Sequence, residues 1–278
     1  MNINESELDL EIKRAIKNMT LMDDIMMRNV FENKACVEYV LRIILGNKTL
    51  SVLHSNVQHT FTEIAARNII MDVLATDDQN REYNIELQQE NKGAIPKRAR
   101  YHSSALDIKS LKKGEYFDKL PETYVIFITA GDPLCAGKMI YHIERVIKEM
   151  DDAAFDDKAH IIYCNTSVQD ESELGRLMHD FRQISSENMA DSVLKNTVKR
   201  LKETEEGEKK MNEELKEIMD KYAAQREKIS RQEGMEKGME KGRKGEKEEI
   251  ARNMKKEKLD ISLIEKITGL SRNVIISL

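Results

Sequence analysis

Three residues, Asp72, Glu86 and Gln88, have types and a spacing that could do chemistry together. They lie in residues 69–90, where two runs rich in β-branched and apolar residues flank a polar centre at 77–82. That pattern predicts a β-hairpin. Side chains alternate along a strand, so Glu86 and Gln88 share one face while Ile85 and Leu87 take the other. A turn centred on Gln79 sets Asp72 directly opposite Glu86. A turn shifted by half a residue would separate them onto opposite faces.

Two opposed carboxylates lie roughly 5 Å apart at Cβ and repel each other. A shared proton or an ion pair would offset that repulsion, but a hard divalent cation suits two convergent carboxylates best. Mg²⁺ keeps much of its water, and a metal-bound water is a ready nucleophile beside a phosphodiester. Gln88 points at the same place and can orient that water. Asp72 and Glu86 are therefore the candidate ligands of Mg²⁺, with Mn²⁺ as a substitute, and all three residues are catalytic candidates.

The arrangement Asp-x13-Glu-x-Gln on a hairpin resembles the active-site motif of the PD-(D/E)XK nuclease superfamily. Within it, the sequence is similar to the Rpn-like, transposase-like branch, which has Gln where most relatives have Lys. Residues 22–31 (Met-Asp-Asp-Ile-Met-Met-Arg-Asn-Val-Phe) are similar to that branch's opening helix. Lys97-Arg98-Ala99-Arg100-Tyr101 resembles its basic segment, and Gly114-Glu115-Tyr116 with Leu120-Pro121 its GxxYxxLP segment. The Gly-rich charged tail and the closing Thr268-Gly269-Leu270-Ser271 are also typical, so nearly the whole chain is covered. One departure is Met71, which stands before Asp72 where many relatives have Pro.

The resemblance implies an α/β fold with a restriction-endonuclease-like core, a mixed central sheet flanked by helices, and a helical, partly coiled-coil tail. It implies a Mg²⁺-dependent DNA endonuclease that hydrolyses phosphodiester bonds and is associated with recombination and mobile elements. The alternative is a catalytically inactive DNA- or partner-binding relic of the same fold. A third possibility is an assembly protein that acts through its coiled tail. In relatives a carboxylate of the first helix sometimes joins the metal, which makes Asp24 the additional candidate. A solvated acidic residue is the plainer reading of it.

At 278 residues there is room for one sizeable domain and an extension. Charged residues make up 34% of the chain and mean hydropathy is −0.59, so the charge must be concentrated somewhere. A net charge of −5 argues against a coat of positive charge, and DNA binding must then use a local basic patch. Lys97, Arg98 and Arg100 supply one. Pro96 reads as the first residue of a helix that Gly114 ends, with Tyr101, Ala105 and Ile108 facing the core. Three cations in a first turn sit badly with the helix dipole unless they meet anions, and backbone phosphates are such anions. Cys36, Cys135 and Cys164 show no metal-ligand spacing and read as reduced, buried thiols. No signal peptide or membrane span is legible, which gives a cytoplasmic reading.

The elements that must carry these residues follow from periodicity. Residues 5–46 are helical, with Val37, Val40, Leu41 and Ile44 on one stripe and Gly46 as the stop. Residues 50–64 read as a strand entering the hairpin, with His54 and His59 as ordinary surface or core histidines. The uninterrupted apolar run at 124–130 reads as a strand buried on both faces, followed by strands at 138–146 and 160–165 and a helix at 171–184. The nuclease-like domain is assigned to 1–190, a charged helix or coiled coil to 191–232, a Gly/Glu/Lys-rich hinge to 233–249, and a helix-turn-helix-like end to 250–278. Met211, Leu215, Ile218, Tyr222, Gln225 and Ile229 form a heptad seam, which predicts a homodimer or higher homo-oligomer through the C-terminal helices.

Overall fold

The computed structural model describes residues 5–61 and 69–278. The helical N-terminal region divides into α1 (Glu5–Asn18), α2 (Asp24–Phe31) and α3 (Lys34–Leu45). The breaks have local causes. The Asp23 carboxylate accepts the N–H and hydroxyl of Thr20 in the turn before α2, and Asn33 caps α3 by accepting from the N–H of Ala35. Gly46 ends α3 with φ +62°, a left-handed conformation that costs glycine little. The stripe from Val37 to Ile44 is buried as its spacing predicts.

The sheet is built from β1 (Val52–Phe61), β2 (Ile69–Asp77), β3 (Glu82–Gln88), β4 (Thr123–Thr129), β5 (Ile140–Ile143) and a later strand, β8 (Ala159–Asn165). Between them, α4 (Pro96–Ser110) follows β3, and the ribbon of β6 (Val146–Ile147) with β7 (Ala153–Ala154) follows β5. Residues 138–146, which read as one strand, thus divide in two. Strand order is β1-β2-β3-β4-β8-β5. The β3–β4 and β4–β8 pairs are parallel and the others antiparallel, which makes a mixed sheet. β4 lies inside it and is buried along nearly its whole length, the placement an unbroken apolar run requires.

On α4 the inward stripe differs from the one expected. Ala105 is buried, but Tyr101 is 41% and Ile108 57% exposed, while Ala99, His102, Ser103 and Leu106 face inward. The reason is the surface beneath. One face of β3 presents Glu82, Asn84, Glu86 and Gln88, so the helix turns toward it small residues and residues able to hydrogen-bond. Gly114, at φ +90°, lies beyond the end of α4 rather than at it.

The chain continues through α5 (Glu173–Phe181), α6 (Ser192–Glu203) and α7 (Glu205–Lys256). Leu194, Val198 and Leu201 of α6 are buried, and α6 packs against α2 and α3. Lys202 is buried too, and its ammonium donates to the carbonyls of Lys17, Met19 and Ile184, which clamps the ends of α1 and α5 to α6. The first compact unit accordingly runs to Leu215, past the boundary expected near 190. The glycine repeat at 233–242 does not form a hinge, because α7 runs through it unbroken. Each Gly costs a helix about 1 kcal/mol relative to Ala. Acidic residues in the first turn of α7 and Lys255 and Lys256 in its last turn work the other way, through the helix dipole.

The second unit, Lys216–Leu278, has a small core of its own. Ala251 of α7 packs with Ile264 of α8 (Ile261–Thr268) and Ile275 of α9 (Arg272–Ser277). Asp260 caps α8 and Gly269, at φ +70°, ends it. Along the seam, Met211 is buried in the first unit, whereas Tyr222 is 64% and Ile229 49% exposed. Cys36 and Cys164 are buried, but Cys135 is exposed on a turn. His54 is exposed, and the side chain of His59 lies outside the described residues. No helix among the described residues is long and apolar enough to cross a membrane.

Candidate active site

The hairpin register decides whether the carboxylates meet. β2 and β3 pair Val73 with Ile85, Leu74 with Asn84, Ala75 with Tyr83 and Thr76 with Glu82. That ladder centres the turn on Gln79, and its next step brings Asp72 to Glu86. The turn is pinned by Asp77, whose carboxylate accepts the N–H groups of Gln79 and Arg81, the Arg81 guanidinium and the Tyr83 hydroxyl. Burial works against the Asp77 charge, yet these donors outweigh it and hold the carboxyl below the usual range. Asn80 takes the left-handed position at φ +60°.

Where the backbone ladder stops, the carboxylates take over the backbone donors. Glu86 Oε1 accepts the N–H of Asp72 at 3.2 Å, and Asp72 Oδ2 accepts the N–H of Leu87 at 2.9 Å. Glu86 has no exposed surface, and its charge is met by Arg98, with Nη2 to Oε2 at 2.9 Å. Among the described residues Asp72 forms no such ion pair, though the Arg98 charge reaches it. Burial first, and then the charge of Glu86, push its carboxyl up to about 7, against the Leu87 N–H and the Arg98 charge. Burial and the neighbouring carboxylate thus act together on Asp72.

Gln88 is half-buried, with its side-chain amide lying over Gly93. A Cβ at Gly93 would stand 1.8 Å from Gln88 Oε1, so the missing side chain makes the room that the amide occupies. Gly93 belongs to the single 3₁₀ turn Asn91–Ala94 that leads into α4.

Along β3 the polar face continues away from the site. Glu82 bonds Lys109 and Ser110, and Asn84 bonds His102. His102, 4% exposed, is the residue that sequence reasoning missed. It stands 3.3 Å from Glu86 Oε1, and its Nε2 lies 3.3 Å from Arg98 Nε. A guanidinium can only donate, so Nε2 accepts and the hydrogen sits on Nδ1. The Asn84 amide, 2.9 Å from Nδ1, must then turn its carbonyl toward the ring, which satisfies an oxygen otherwise buried without a partner. Two signals were available in the sequence: the strict alternation of polar residues from Glu82 to Gln88, and the spacing of Arg98 and His102 on one helical face.

The basic turn separates into two kinds of residue. Lys97 and Arg100 are exposed. Arg98 is folded inward. Besides Glu86, it donates to the carbonyl of Gly93 at 2.9 Å, and its guanidinium lies 5.9 Å from the Phe127 ring centre. Asp24 is exposed and bonded to Arg28 at 3.0 Å and to Gln58 at 3.3 Å, though its charge still reaches Asp72.

No group of three or more His, Cys, Asp or Glu side chains among the described residues is set to hold a metal ion. Mg²⁺ does not need one, because it is commonly bound by one or two carboxylates together with substrate phosphate and water. Asp72 and Glu86 would supply those two carboxylates, and a cation would relieve the half-buried Asp72, whose ionisation burial and the Glu86 charge resist. The donor set fits a hard divalent ion. Residues 29–258 match the family described as PD-(D/E)XK nuclease family transposase. No curated protein and no solved structure matches the chain.

Proposed function

The chain belongs to the PD-(D/E)XK nuclease family transposases, and from that premise we propose that it is an endonuclease hydrolysing DNA phosphodiester bonds with a divalent cation held by Asp72 and Glu86. The observation that carries this reading is Asp72 itself, a half-buried carboxyl aimed by the Leu87 N–H to stand beside the fully buried carboxylate of Glu86. Structural carboxylates are seldom left so, whereas functional sites often are. When bound, Mg²⁺ or Mn²⁺ supplies Lewis acidity to the phosphate and to the attacking water. The chain's own residues do the rest. Gln88, seated on Gly93, orients the water through its amide. Lys97 and Arg100, at the positive end of α4, hold the backbone phosphates on either side of the scissile bond.

Supercoiled plasmid with Mg²⁺ or Mn²⁺ tests this. Nicking that needs the cation and disappears in Asp72→Ala is the expected result. Salt-dependent DNA binding without any cleavage would favour the second reading, a relic that binds but no longer cuts. The Arg98–Glu86 pair favours that reading, since a cation already occupies one carboxylate. The proposed role in recombination, a cytoplasmic setting and pairing of two copies through the exposed seam of α7 complete the reading. Two cores held together would cut both strands of one duplex.

A further inference from the structure

The pairing of Arg98 with a proposed metal ligand has a consequence of its own, which rests on the functional reading above. We propose that Arg98 is a cationic placeholder: it balances the charge of Glu86 while no divalent ion is bound, gives way when one binds, and then turns to the DNA phosphate.

Three features of the geometry carry this. First, Arg98 takes only one oxygen of Glu86, Oε2 at 2.9 Å, while Oε1 is held separately by the Asp72 N–H at 3.2 Å and faces His102 at 3.3 Å. Loss of Arg98 from Oε2 therefore leaves Glu86 still oriented. Second, a divalent ion held by Glu86 would bring like charge close to the guanidinium at a carboxylate with no exposed surface, so the two would exclude each other. Third, Arg98 can leave. It sits in the first turn of α4 with its side chain 34% exposed, between the exposed Lys97 and Arg100. Its other partners are the Gly93 carbonyl, the ring nitrogen of His102 and the face of Phe127, none of them a carboxylate. A freed guanidinium there lies beside the residues proposed to grip phosphate, and its planar fork suits a phosphate's oxygens. Arg98 in this sense balances the charge of Glu86 before the metal enters, and contacts phosphate afterwards.

Mn²⁺ binding to the full-length protein, followed by electron paramagnetic resonance, tests the exchange. Arg98→Met should bind Mn²⁺ at least tenfold more tightly than wild type, and Arg98→Lys by a smaller factor. In wild type, arginine Nε–H NMR should show the Arg98 signal move as Mg²⁺ is added, a readout that needs no variant and is independent of cleavage. Equal or weaker Mn²⁺ binding by Arg98→Met, or an Arg98 signal unmoved at saturating Mg²⁺, overturns the placeholder and leaves the metal site standing. The site itself is checked by Asp72→Asn in the same titration. If that change leaves Mn²⁺ binding untouched, the functional reading fails and the placeholder falls with it.

Discussion

Asp72 and Glu86 meet across the hairpin through backbone donors, with Glu86 Oε1 on the N–H of Asp72 and Asp72 Oδ2 on the N–H of Leu87, beside Glu86. Each carboxylate is thus aimed by the strand opposite, and the pair is fixed as firmly as the register is. Their electrostatic situations nevertheless differ. Glu86 has a guanidinium 2.9 Å away, and among the described residues Asp72 forms no ion pair.

That asymmetry predicts opposite effects on stability. The Asp72 carboxyl is raised from 3.8 to about 7 in the folded chain. Between those values the folded state keeps a proton that the unfolded state releases, so stability falls as pH rises through this window. Asp72→Asn removes the penalty. In metal-free urea denaturation it should be more stable than wild type at about pH 8, by up to a few kcal/mol, and no more stable at about pH 4. Glu86→Gln should be less stable than wild type by about 1–3 kcal/mol, because it strips Arg98 of its charged partner. Equal effects of the two changes would show that Arg98 does not divide them.

Gly93 should matter to cleavage without touching substrate. A methyl group there displaces the amide of Gln88, which is the flexible end of a side chain, so the fold should tolerate Gly93→Ala. Nicking should fall by roughly one to two orders of magnitude, as in Gln88→Ala, because the water loses its guide. Combining the two changes should cost little more than either alone. Full activity in Gly93→Ala would mean that Gln88 does not act from its present position.

Lys97 and Arg100 are exposed at the start of α4, so their loss should weaken DNA binding on every sequence alike. With both changed to Ala, the log–log dependence of affinity on salt should flatten by about 1.8, or roughly 0.9 for each phosphate that is no longer neutralised. An unchanged slope would show that the turn is merely solvated.

Truncation should separate the core from the seam. A chain ending after Asp191 loses Leu194, Val198 and Leu201, all nearly fully buried, and the Lys202 ammonium that clamps three carbonyls. It should fail to give a stable fold by circular dichroism. A chain ending after Leu215 keeps the whole first unit and should fold, sediment as a monomer and still nick DNA. The full chain, with Tyr222 and Ile229 exposed on α7, should self-associate and give more double-strand breaks per nick. A monomeric full-length chain at working concentration would remove the pairing role.

Much of this was legible in the sequence because it is local. Apolar alternation and turn chemistry set the hairpin, and a turn on Gln79 was enough to bring Asp72 to Glu86. The buried strand at 123–129, the glycine that stops α3 and the proline that starts α4 are also dictated by residues and their immediate neighbours. The partners of Glu86 were not legible, since α4 can present Arg98 and His102 to β3 only after the chain has turned back over the sheet. Which side of α4 faced inward was decided by the polar face of β3, not by the helix's own apolar spacing. The same holds for α6, whose charged composition reads as tail but whose few apolar residues fill the space left by α2 and α3. Periodicity reports what a segment could bury. Only the packed tertiary structure sets what it buries against, and thereby placed the Arg98 guanidinium on Glu86 rather than on Asp72.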